Sequence, residues 1–138
     1  MEWMILPYRR YAEFSGRSRR REYWMFALFY FLVMIVLNAL FGTNQIESGA
    51  GTFVYGSRLV GAGSWVGGLF WLVSIVPSLA VSVRRLHDQD KSGWLLLLVL
   101  IPILGWFALL VLMCLDGSHG ANRYGPDPKN PTNAEVFF

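Results

Sequence analysis

One compact polar segment, Arg84-Arg85-Leu86-His87-Asp88-Gln89-Asp90-Lys91-Ser92-Gly93, holds most of the groups in this chain that could do chemistry. An imidazole next to a carboxylate, His87 beside Asp88, is a pairing that moves protons or starts a metal site, and histidine titrates near neutral pH. Zinc needs three or four ligands. The nearest further candidates, Asp116 and His119, lie beyond a long apolar run. The sequence has no HExxH, no nucleophile elbow, no phosphate-binding glycine loop and no CxxC. The expectation is therefore no catalytic residue, no metal and no cofactor. A second charged cluster, Arg17, Arg20, Arg21 and Glu22, precedes the first apolar run. With Arg84, Arg85, His87 and Asp88 it forms the expected site: an interfacial charge network that sets helix register. Recognition of a ligand or a lipid headgroup is the sharper alternative.

The elements that must position these groups are apolar. Of the 138 residues 54% are hydrophobic and only 15% charged, against about 25% charged in soluble domains. Three uncharged blocks, 24–41, 65–83 and 94–115, contain 18, 19 and 22 residues. A helix of about 20 residues crosses a hydrocarbon core of roughly 30 Å. The expected fold is a single all-α membrane domain with three transmembrane helices over those blocks. A soluble bundle is excluded because no amphipathic helices remain to cover three apolar ones. The first block exceeds a signal-peptide core and lacks a small-residue cleavage site, so it is expected to be an uncleaved anchor. With Cys114 as the only cysteine, no intrachain disulfide forms.

The remaining segments follow from composition. Pro7 to Phe14 within the basic segment 1–23 suits a short interfacial helix, and Ser18 suits the N-cap of the next. The 42–64 loop, rich in Gly, Ser and Thr, is expected to be a flexible exposed connection. Gly63, Gly67, Ser74, Ser78 and Ser82 place small residues at helical spacing, which suits close helix packing in lipid. The 84–93 segment is a polar connector. The 116–138 tail is expected to be irregular, because it is full of Gly, Asn and Pro.

Lys and Arg are retained in the cytoplasm. Under three crossings the N-terminus and the 84–93 connector share a face with nine basic residues, against three elsewhere. The N-terminus is then cytoplasmic and the C-terminus outside, which separates Asp116 and His119 from the connector. Pro102 and Gly105 interrupt the third block and predict a kink. A sharper break would make a re-entrant hairpin and return the tail to the cytoplasm; the kinked span is favoured.

The order of motifs resembles the small bacterial inner-membrane proteins grouped as domain-of-unknown-function family 805. The resemblance rests on Phe14-Ser15-Gly16-Arg17, Arg20-Arg21-Glu22-Tyr23-Trp24, Arg84-Arg85-Leu86-His87-Asp88, Ser92-Gly93-Trp94 and Ile101-Pro102 with Gly105. It continues through Gly117-Ser118-His119-Gly120 and the tail motif Asn122-Arg123-Tyr124-Gly125-Pro126-Asp127-Pro128, in which Asn122, Arg123 and Asp127 carry the polar groups. It implies a bacterial cytoplasmic-membrane location and no particular activity. The leading functional expectation is a non-enzymatic scaffold or accessory subunit, associating through the small-residue stripe with a second copy or another membrane protein. The alternative is a transport or ligand- or lipid-sensing protein with a charged cytoplasmic mouth. The expected partners are the bilayer and anionic lipid headgroups, with no nucleic acid.

Overall fold

The computed structural model describes residues 2–49 and 52–129. Helix α1 spans Glu2–Arg9, α2 Arg20–Phe41, strands β1 Gly42–Gly49 and β2 Thr52–Leu59, α3 Ala62–Asp88, a 3-10 helix Gly93–Leu100, and α4 Leu104–Cys114. Two compact units result, Leu28–Ile75 and the remainder, Met1–Ala27 with Val76–Phe138. Among the described residues, α2 and α3 are the two helices long and apolar enough to cross a membrane.

In the unit 28–75, β1 and β2 pair antiparallel with Gly42 opposite Leu59. The expected flexible loop is thus a β-hairpin, whose ladder satisfies backbone groups that composition alone left unassigned. Asn38, the polar residue of the first apolar block, donates to Ser57 Oγ at 3.0 Å. Tyr30 stacks on Phe70 with ring centroids 5.3 Å apart. The small-residue stripe is partly used inside the chain. A side chain on Gly63 would run into Phe41, and one on Gly67 into Leu59. Ser74 and, in the other unit, Ser82 donate to carbonyls four residues back, Phe70 and Ser78, the usual way a helix absorbs serine hydroxyls.

In the second unit the N-terminal helix lies earlier than expected, over Glu2–Arg9 in place of 7–14. Glu2 suits the positive end of the helix dipole. The chain then turns, held by the Arg10–Glu13 ion pair at 2.5 Å. Ser18 does not cap α2. It is fully buried, and its backbone N–H donates to the Arg84 carbonyl at 3.1 Å. At the other end α3 stops in a Schellman arrangement: Lys91 N–H reaches the Leu86 carbonyl and Asp90 N–H the His87 carbonyl. Asp90 supplies the left-handed residue at φ 57°.

The third apolar block is not one kinked helix. It is two legs folded back on one another, Gly93–Leu100 and Leu104–Cys114. Pro102 supplies no donor, and Ile103 turns the chain at φ 64°, ψ −68°. Gly105 permits the close approach, because a Cβ there would overlap the Leu98 carbonyl oxygen. Trp106 Nε1 donates to the Val99 carbonyl at 2.9 Å. Three donors of the tip are paired locally: Ile101 to Leu98, Leu104 to Pro102 and Gly105 to Ile101. These bonds reduce the number of unpaired polar groups that broken backbone would carry in lipid. Eight residues at about 2.0 Å and eleven at about 1.5 Å give two legs of about 16 Å, half a hydrocarbon core.

The β-branched Ile103 sits in backbone space that costs about 1–3 kcal/mol. Ile103→Gly is therefore expected to leave the thermal midpoint in detergent unchanged or raised. Ile103→Pro, whose ring fixes φ near −65°, is expected to lower it and loosen the hairpin. A midpoint unaffected by the proline would contradict this turn.

Candidate functional site

The folding-back of residues 93–115 delivers the tail to the polar connector. Asp88 ends α3, and both of its carboxylate oxygens are occupied. Arg17 Nε bonds Oδ1 at 3.0 Å and Arg85 NH1 bonds Oδ2 at 2.6 Å. The Arg17 and Asp88 side chains are 1% and 4% exposed. The rest of the Arg17 fork reaches the tail: NH1 donates to the Gly120 carbonyl at 2.5 Å and NH2 to the Ser118 carbonyl at 2.6 Å. Arg85 likewise donates to the Leu115 carbonyl. The Asp88 carbonyl accepts from Ser118 N–H at 2.8 Å and from its hydroxyl at 3.1 Å. Gly117 makes this docking possible, since a Cβ there would collide with Asp88 Oδ2.

Around this clasp lies a second layer. Arg84, fully buried, bonds Glu22 at 3.1 Å and has Glu13 at 3.9 Å. Arg20 pairs with Asp116 at 2.8 Å and donates to the Cys114 carbonyl. Gln89 donates to the Leu112 carbonyl. Asn122 donates to the His87 carbonyl and to Ser118 Oγ, both at 2.9 Å. Arg123 pairs with Asp90 at 3.1 Å. The His87 imidazole lies flat against the Tyr124 ring, centroids 3.8 Å apart and planes within 5°. Asp127 closes the tail by accepting from Lys129 N–H at 2.8 Å and Gly120 N–H at 3.0 Å. Those backbone donors, that of Lys129 first, hold its carboxyl below the ordinary carboxylate range.

Arg17, Arg85 and Asp88 thus form one cluster, Arg84 pairs with Glu22 and Arg20 with Asp116, while His87 takes part through its carbonyl and its ring stack. Arg21 is exposed and stands apart. Asn122, Arg123 and Asp127 serve the tail's own folding and docking. The separation of Asp116 and His119 from the connector does not hold, because Ser118 lies against Asp88. Among the described residues no three His, Cys, Asp or Glu side chains gather as metal ligands would. The arrangement cross-links three distant segments: Arg17 and Arg85 share the Asp88 carboxylate, and Arg84 faces Glu22. Glu13, Gly117 and Tyr124 were not singled out as site residues in the sequence. The Ser118 and Gly120 carbonyls give no side-chain signal at all.

The chain matches, over residues 11–126, the family model described as a protein of unknown function, DUF805. It is similar to two proteins of Escherichia coli (strain K12) named as inner membrane proteins. YhaI is 38% identical over 133 residues, covering 96% of this chain and 100% of YhaI. YhaH is 37% identical over 129 residues, covering 94% of this chain and 98% of YhaH. YiiR of the same strain is 29% identical over 142 residues, covering 85% of this chain and 86% of YiiR. No solved structure matches.

Arg17→Ala is expected to cost about 3–5 kcal/mol, the typical result of removing one partner of a buried pair, read as a lower melting temperature in detergent. Arg17→Lys should not restore it, because one ammonium cannot span the three positions that the guanidinium fork reaches. Gly117→Ala should cost about 1–3 kcal/mol by overpacking. Wild-type stability in all three variants would contradict the clasp.

Asp127 gives a pH dependence. Its folded pKa is depressed, so its contribution is present above the unfolded value of about 4 and disappears as pH falls through the folded one. A spin label at Ala121→Cys should become mobile below about pH 4. With Asp127→Ala it should be mobile already at neutral pH. A label equally ordered in both proteins at pH 7 would contradict the role of this carboxylate.

Proposed function

This chain belongs to the DUF805 family, and from that premise we propose a non-enzymatic accessory or scaffold protein of the bacterial inner membrane. Helices α2 and α3 cross the bilayer. The 93–115 hairpin dips into the cytoplasmic leaflet and returns, so both termini, the connector and the tail share the cytoplasmic face. The positive-inside rule supports this placement more strongly than three crossings. The six N-terminal arginines, the three basic residues of 84–93, and Arg123 with Lys129 make eleven on one side, against Arg58 alone on the other.

The observation that carries the non-enzymatic reading is the internal pairing of the Arg17–Asp88–Arg85 clasp; outside it, Arg84 Nε and NH1 and His87 Nδ1 are buried without a hydrogen-bond partner. Arg17, Arg85 and Asp88 satisfy one another and the tail backbone. A general acid, base or nucleophile needs a free group within reach of a substrate, and a transport mouth needs charge turned toward solvent. This web instead locks the fold into one shape that another membrane protein or a second copy could bind. The apolar faces of α2 and α3 not used inside the chain supply the membrane side of that association; Phe31, Leu40 and Leu69 are among the exposed residues there.

A lipid-sensing reading stands second, favoured by an open groove beside His87 and Tyr124. Crosslinking in native membranes tests the first. The expected outcome is a reproducible adduct with a second copy or a defined membrane protein, at native as well as raised expression. A monomer with no adduct at every expression level would contradict it.

A further inference from the structure

Between the last turns of α3, the 3-10 helix and the tail lies an open surface groove of about 460 Å3. Val83, His87, Ser92, Trp94, Leu97 and Tyr124 line it, and none of these side chains is charged at neutral pH. Its polar end is held in place. The stack on Tyr124 fixes the imidazole plane. Ser92 Oγ accepts from Trp94 N–H at 3.4 Å, which leaves the hydroxyl hydrogen free to donate. Gly93 leaves the imidazole edge open. A Cβ there would lie 3.5 Å from His87 Nε2 and 2.8 Å from Val83 Cγ1.

Lys91 precedes the lining residue Ser92 in the chain and lies outside every ion pair of the described residues. Arg123, 5.0 Å over the Tyr124 ring, is paired with Asp90. The Ser92 hydroxyl and the His87 imidazole share the groove with the apolar side chains of Val83, Leu96 and Leu97, and Leu97 and Leu100 are exposed. A cation one residue away, a hydrogen-bond donor and an apolar wall match the phosphate, the ester carbonyl and the acyl chain of a glycerophospholipid.

We propose that this open groove binds one glycerophospholipid of the cytoplasmic leaflet. Its phosphate faces Lys91, an ester carbonyl accepts from Ser92 Oγ, and an acyl chain lies along Val83, Leu96 and Leu97. The proposal rests on the hairpin dipping into that leaflet. It gives the lipid-sensing reading a site and a ligand class.

The test is native mass spectrometry of the full chain in detergent, before and after delipidation and titration with phosphatidylglycerol or phosphatidylethanolamine. The wild type is expected to retain one phospholipid per chain. Leu97→Trp and the milder Leu97→Phe, which fill the groove, should weaken retention at least about tenfold, against an unaffected Leu40→Trp control on α2, all eluting as folded protein. Lys91→Ala should weaken phosphatidylglycerol binding about fivefold, the equivalent of about 1 kcal/mol for one basic residue near an anionic headgroup. Three outcomes overturn the proposal: no retained phospholipid, equal retention by both Leu97 variants, or retention of a phosphate-free amphiphile such as a quinone. Topology fails separately. A cysteine at His119 labelled only from the periplasm would overturn the hairpin placement, whereas cytoplasmic labelling without a retained lipid would overturn the lipid site alone.

Discussion

A single carboxylate, that of Asp88, organises the polar face of this protein. Two guanidinium groups that are far apart in sequence take its two oxygens, and its backbone carbonyl anchors the start of the tail. Buried, unpaired charges are far more costly than paired ones, so each arginine needs the carboxylate and the carboxylate needs both. Arg17 then has two NH2 groups to place, and the carbonyls of Ser118, Gly120 and Asp88 itself meet them. The position of the tail is thus a consequence of satisfying one guanidinium fork.

That requirement dictates what the third apolar block does. A straight or kinked helix over 94–115 would carry Asp116 across the bilayer, away from Arg17, Arg20 and Asp88. The two 16 Å legs bring it back. Proline at 102, the left-handed Ile103 and the bare Cα of Gly105 make the turn, and three donors at its tip are paired locally. In the proposed topology the result is a wedge in one leaflet, with an open groove where the wedge meets α3.

Much of this is legible in the residues. The two long helices follow from uncharged runs of spanning length, and the grouping of Arg17, Glu22, Arg84 and Asp88 follows from charges flanking such runs. The family resemblance follows from motif order. The choice between kink and hairpin does not, because Pro102 removes the same donor in both. It is made by contacts between distant residues, Gly105 against Leu98 and Ser118 against Asp88. The β-hairpin escaped for a related reason, since Gly, Ser and Thr serve a flexible loop and a short two-stranded ladder alike. Ser18 has the side chain of a cap, but tertiary burial against Arg84 took precedence over local preference.

The most direct measurement is the side of the membrane on which residues 91 and 119 lie. Single cysteines at Lys91 and His119, in a chain whose own Cys114 is replaced by Ala, can be probed with a membrane-impermeant maleimide. In right-side-out spheroplasts both should be protected, and in inverted vesicles both should label. Labelling at 119 in spheroplasts with protection at 91 would restore the third crossing and contradict the docking of the tail on Asp88.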